Sequence, residues 1–170
     1  MVTLALTRRN LCLGLAGLAA VMAHGLHAED VVDLDWSDLI PEGEVSLPSA
    51  LQGLVPHDEA AMASRQPRST GVRTDWNGRM VRLSGFIIPL DYSGTGISAF
   101  MLVPYVGACI HVPPPPANQL VLVTTERPYE SNALFAPVTV TGMFGTASTS
   151  TQLADVGYAM SADRITSYRS

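Results

Sequence analysis

From Asn77 onward the chain consists largely of strand-length apolar runs separated by turn residues, and this spacing constrains the fold more than any other feature. Asn77-Gly78 is a turn signal. The run that follows, Arg79 to Leu90 (RMVRLSGFIIPL), alternates in its first half, with Met80, Arg82 and Ser84 opposed to Val81, Leu83 and Gly85. A period of two marks a strand with one face buried. Gly85 within it predicts a bend or bulge, as where a sheet curls into a small barrel. Pro89 and Asp91 are expected to end the strand, and Ser93 to Gly96 to form a Gly-rich loop. Further strands are expected over Ile97–Val106, Gln119–Glu126 and Pro137–Gly145, and a final strand or hairpin over Val156–Tyr168. In the fourth, Val138 and Val140 oppose Thr139 and Thr141; in the last, Tyr158, Met160, Ile165 and Tyr168 are the packing residues.

The only helical signals after the N-terminal segment lie between Ser49 and Gln66. Ser49 can cap a turn carrying Leu51 and Leu54, Pro56 breaks it, and one or two further turns can start near Asp58. Pro67 to Asn77 reads as a linker. The expected fold is therefore mainly β: a small OB-like barrel or roll of about five strands with one short helical segment, a β-sandwich being the alternative. Residues 49–170 form one such domain. No Gly-rich phosphate loop, GxSxG or HExxH is present.

Met1 to about Ala28 has the three parts of an export signal. Arg8 and Arg9 form a basic start, an apolar run extends from Leu11 to Ala23, and small residues follow at Gly25 and Ala28. The run is shorter than the ~20 apolar residues of a membrane span, and His24 and His27 interrupt it. TRRNLCL also resembles a twin-arginine signal, which would export the protein already folded. Cys12 follows Arg-Asn-Leu without the small residues of a lipobox. A soluble periplasmic protein is expected, reaching a membrane only through a partner.

Removing residues 1–28 leaves one cysteine, Cys109, and two histidines, His57 and His111. Eight arginines, no lysine and fifteen acids give a net charge of about −7. That balance argues against nucleic acid as a partner. Residues 29–48 form an acidic arm whose apolar members, Val32, Leu34, Trp36, Leu39 and Ile40, are expected to dock on the domain with Trp36 as the main anchor.

Chemistry concentrates in Pro104–Gln119 (PYVGACIHVPPPPANQ). Exported cysteines usually come in pairs, so a lone one is an inert buried thiol, an intermolecular crosslink, a reactive group or a metal ligand. On a strand, residues two apart share a face, so Cys109 and His111 can converge on one ion. Thiolate and imidazole together suit zinc or copper(I). Pro113 to Pro116 would continue as a stiff polyproline segment rising ~3.1 Å per residue. Asn118 and Gln119 can then satisfy backbone groups or orient His111. Zinc takes four ligands, and His57, Asp58, Glu59, Asp91 and the arm are the available donors. Two other readings stay open. Cys109 and His111 are packing residues, with Tyr105 and the prolines forming a ridge for a protein partner; or His111 activates Cys109 as a nucleophile, although no third catalytic member is evident.

VRLSGFIIPLD, FMLVPYVGACIHVPPPPANQLVLV and PVTVTGMF, with DWSDLIP before them and GYAMSADRITSY after, resemble the bacterial envelope family known as domain of unknown function 3299. The resemblance runs from about Trp36 to Tyr168. It implies an exported protein or lipoprotein, and an association with ABC-type transport systems linked to zinc supply. It also implies that Cys109, His111, Pro113 to Pro116, Asn118 and Gln119 belong to one shared motif, GACIHVPPPPxNQ, without assigning their roles. The function expected is a non-enzymatic metal-binding accessory, zinc before copper, serving an envelope transporter component.

Overall fold

A computed structural model of the chain describes residues 30–43, 66–69, 71–106, 114–131 and 133–168. Six strands occur among them: β1 (Val32–Leu34), β2 (Arg79–Ser93), β3 (Gly96–Val103), β4 (Val121–Tyr129), β5 (Pro137–Ser150) and β6 (Asp155–Ser167). β2 pairs antiparallel with β3, β3 with β4, and β5 with both β2 and β6. β4 and β6 pair in parallel. The circuit β2-β3-β4-β6-β5-β2 closes a five-stranded barrel of the expected OB-like kind, and β1 is an extra strand laid parallel on β2. Among the described residues the helical content is two single 3-10 turns, Trp36–Leu39 and Ala117–Gln119. The helical segment expected between 49 and 66 lies outside them, apart from Gln66. No helix of the described residues is long and apolar enough to cross a membrane.

Alternation fills the barrel. Val81, Leu83 and Ile87 of β2, Phe100 and Leu102 of β3, Val121 and Val123 of β4, Val138 and Val140 of β5, and Tyr158 and Met160 of β6 point inward and are buried. β3 is buried on its other face as well. There Met101 and Val103 join Ile88, Leu120, Ala154 and Val156, with Phe86, Leu90, Tyr105, Leu122 and Phe135 packed around them. The continuous run FMLV in β3, where alternation fails, follows from this double burial.

Gly85 marks the corner of the barrel. β2 pairs with β5 from Arg79 to Phe86 and with β3 from Phe86 to Ser93, so the strand exchanges neighbours there. A Cβ on Gly85 would lie 2.7 Å from the carbonyl oxygen of Val103 and 3.0 Å from the Trp36 ring. Only glycine admits both approaches.

Several boundaries and one packing residue differ from expectation; β3 ends at Val103 rather than Val106, and β4 spans Val121–Tyr129 rather than Gln119–Glu126. β2 does not end at Pro89 or Asp91 but runs to Ser93, with its register shifting between Pro89 and Tyr92. Beyond Ile87, β5 no longer flanks β2, so the N–H that Pro89 lacks is not needed on that open edge. β5 continues past Gly145 to Ser150, because β6 still pairs with it there. Tyr168, expected to pack, is exposed.

The arm docks as expected. Trp36 Nε1 donates to the Ser84 carbonyl at 2.8 Å, while Leu39 is completely buried. Arg82 pairs with Asp33 across β1 and β2 at 2.7 Å.

Candidate functional site

The Cys–His–proline stretch connects β3 to β4. Cys109, His111 and Pro113 lie outside the described residues, as do His57, Asp58 and Glu59. Its two flanks are described. On the β3 side, Tyr105 packs against the apolar cluster on the outer face of β3. On the β4 side, Pro114 and Pro115 are buried, Pro116 is half-buried, and Asn118 is only 2% exposed.

A buried proline run poses a hydrogen-bond question, since its residues carry carbonyls but no N–H groups. Three carbonyls in succession have identified donors here. The Pro115 oxygen accepts from Gln66 Nε2 at 2.9 Å. The Pro116 oxygen accepts from the Gln119 N–H at 2.8 Å, and the Ala117 oxygen from the Leu120 N–H at 3.3 Å. Pro116 has φ −54° and ψ 153°, the extended polyproline conformation expected. The sequence suggested that Asn118 and Gln119 satisfy backbone groups or orient His111. Gln119 Nε2 donates to the backbone carbonyls of Trp36 at 2.8 Å and Asn118 at 3.1 Å, tying this end of the stretch to the acidic arm.

Two residues that sequence reasoning passed over organise this region. Gln66 uses its whole amide: Nε2 donates to the carbonyls of Pro115 and Asp155, and Oε1 accepts from the Asp155 N–H at 2.8 Å. It thereby pins the proline run to the first residue of β6. Tyr158 was read only as a packing residue, and its ring does stack on Phe144 at 5.1 Å. Its hydroxyl also donates to the Leu39 carbonyl and accepts from the Arg73 N–H, each at 2.7 Å. Burial pushes this phenol above the ordinary tyrosine range, against the opposing pull of the Arg73 N–H. Neither role has a local signature, because the partners are 49 to 119 residues away.

Beside this junction, Arg73 donates to Asp75 at 2.9 Å and lies 5.8 Å from the centre of the Trp76 ring. That hydrogen bond holds the Asp75 carboxyl below the usual carboxylate range. An open cleft of about 610 Å³ lies next to it, lined in part by Arg68, Ser69, Gly71, Ala117, Ser150 and Gly157.

Asp91 does not join this region. It is exposed, its carboxylate accepts from the N–H of Tyr92, and it pairs with Ala99. Phe86 pairs with Val103, where the stretch leaves the barrel, so five strand positions, roughly 17 Å at ~3.3 Å each, separate Asp91 from that point. Among the described residues no group of three or more His, Cys, Asp and Glu is arranged to hold a metal ion.

These features define a class: a small closed OB-like barrel with an N-terminal arm docked on it and a proline-rich connection between its second and third barrel strands. The chain belongs to the DUF3299 family of proteins of unknown function, whose model matches residues 36–167. The crystal structure of a DUF3299 family protein from Pseudomonas aeruginosa PAO1 is similar to it, with a TM-score of 0.69 and 38% sequence identity. The match covers 82% of this chain and 97% of that one. No curated protein matches the chain.

Proposed function

We propose that this protein is an exported, non-enzymatic metal-binding accessory of the bacterial envelope, taking zinc before copper and serving an ABC-type transporter. Cys109 and His111 act as ligands within a GACIHVPPPPxNQ motif, His57, Asp58 and Asp91 are the additional donors, and Asn118 supports the loop. The observation that carries this reading is the seating of the proline run. Pro114, Pro115 and Asn118 are buried, and the carbonyls of residues 115–117 are satisfied from within the fold. This end of the stretch is a fixed scaffold, which leaves Cys109 and His111 as its chemistry-bearing members. A pair of ligands next to a fixed segment loses little entropy on binding an ion. Of the run's three described prolines, Pro114 and Pro115 are buried and Pro116 is half-buried.

The test is zinc competition against a chromophoric chelator, using mature protein stripped of metal. About one zinc per chain or per subunit interface is expected, with affinity falling at least tenfold in Cys109→Ser, in keeping with loss of one of four ligands. Equal stoichiometry and affinity in the two proteins would sink the proposal.

A further inference from the structure

We infer that Asn77 is a site of spontaneous deamidation, a modification site built into the turn before β2, and that strand β5 sets its rate. Of the four asparagines in the sequence, only Asn77 precedes a glycine. With no Cβ in the way, the glycine nitrogen can approach the preceding side chain closely. The turn itself demands that glycine, because Gly78 has φ 71°, a left-handed conformation that other residues adopt at a cost. Asn77 is exposed, so water reaches it. In the reaction the Gly78 nitrogen gives its proton to hydroxide and attacks the Asn77 Cγ. The N–Cγ bond forms, the Cγ–Nδ2 bond breaks, and the amide leaves as ammonia after taking a proton from water. Water then opens the cyclic imide at either carbonyl, leaving an aspartyl or an isoaspartyl residue at position 77, with no oxidant or cofactor involved.

Both partners in this reaction are gripped by β5. Asn77 Oδ1 accepts from the Thr146 N–H at 2.7 Å, and Nδ2 donates to Thr146 Oγ1 at 3.2 Å. The Gly78 N–H, whose proton must leave, donates to the Phe144 carbonyl at 2.9 Å. Attack therefore requires the turn to open locally from the strand. Three such bonds, each worth ~fivefold in the opening equilibrium, slow the reaction by roughly 100-fold. The products differ in fate. An aspartyl side chain can accept from both the N–H and the hydroxyl of Thr146. An isoaspartyl residue instead lengthens the backbone just before the Arg79–Phe144 pair that begins the β2–β5 ladder.

The test is peptide mapping by mass spectrometry of protein aged in mildly alkaline buffer. Folded wild type is compared with wild type unfolded in urea, with Thr146→Val and with Val140→Ala. Valine keeps the branched shape and the backbone N–H of Thr146 and removes only the hydroxyl that holds Nδ2. Val140 is buried beside Leu83, further along the ladder, so truncating it controls for general destabilisation. Asn77 is expected to convert about 100-fold faster in urea than in folded wild type, and about fivefold faster in Thr146→Val, while Val140→Ala stays within about twofold of wild type. Asn118, buried and followed by Gln119, is the internal control and should stay intact in the folded proteins. Hydrogen exchange of the Gly78 amide gives a second readout and should quicken in Thr146→Val by the same factor. A folded rate within about threefold of the urea rate, equal acceleration in both variants, or a wild-type conversion or Gly78 exchange rate in Thr146→Val overturns the inference.

Discussion

Replacing Tyr158 by Phe isolates a single atom. The ring stays and keeps its stacking on Phe144, so apolar burial is nearly unchanged. The lost hydroxyl serves two backbone groups, the carbonyl of Leu39 and the N–H of Arg73. Leu39 is fully buried, so its carbonyl loses its partner at close to the full cost, whereas Arg73 is half-buried and water can reach it more readily. With ~1–3 kcal/mol for each buried group left unsatisfied, the variant should be less stable by about 2–3 kcal/mol. At an m-value near 2 kcal/mol/M, the urea midpoint should fall by roughly 1–1.5 M with the slope unchanged. Hydrogen exchange supplies the local readout: the Arg73 amide should lose protection, and residues 36–40 should open at lower free energy than the barrel strands. A midpoint within about 0.2 M of wild type, or an Arg73 amide as protected as before, would mean that this hydroxyl does not hold the arm to the barrel.

The same phenol sets an alkaline limit. Its folded pKa lies above the ordinary value near 10, so below pH 10 both folded and unfolded chains keep the proton and its contribution is complete. Above pH 10 the unfolded chain ionises first and stability falls, by at most ~1.4 kcal/mol per pH unit, until the folded phenol also ionises. The stability gap between wild type and the Phe variant should therefore narrow above pH 10 in urea titrations; a constant gap would contradict the assignment. Gly85→Ala should destabilise by about 1–3 kcal/mol, since the added methyl meets the rigid Val103 carbonyl at 2.7 Å and the Trp36 ring at 3.0 Å. Thermal melts measure the loss, and Trp36 fluorescence should shift with it as the ring is displaced.

The barrel was legible because its strands are half-buried, so the inward positions of β2 and β5 alternate in the sequence. Gly85 was legible as a bend for the same reason: a glycine within an apolar strand needs an explanation, and the crossing of β3 and Trp36 provides one. Boundaries failed where a rule assumes two neighbours or an apolar face. Pro89 reads as a strand end, but it sits on an edge that needs no donor. Thr146 to Ser150 reads as loop because it is polar, yet pairing with β6 carries it onward where no core requires apolar residues. Cys109 and His111 stood out by chemistry. Gln66 and the Tyr158 hydroxyl did not, since a glutamine or a core tyrosine looks ordinary until the distant carbonyl it serves is known.

Those carbonyls make the proline stretch a joint between parts that the sequence reads as separate. Gln119 ties it to the arm at Trp36, and three residues later the arm is held at Leu39 by Tyr158. Tyr158 also holds Arg73, in the segment that follows Gln66, and Gln66 returns to Pro115. The path closes on itself through three backbone carbonyls and one N–H, each gripped by a side chain from elsewhere in the chain. In such a loop of contacts, loosening one member removes restraint from the others, so docking of the arm and the position of the proline run are linked equilibria. Such a link requires no long-range motion, only that this junction have a seated state and a loosened one.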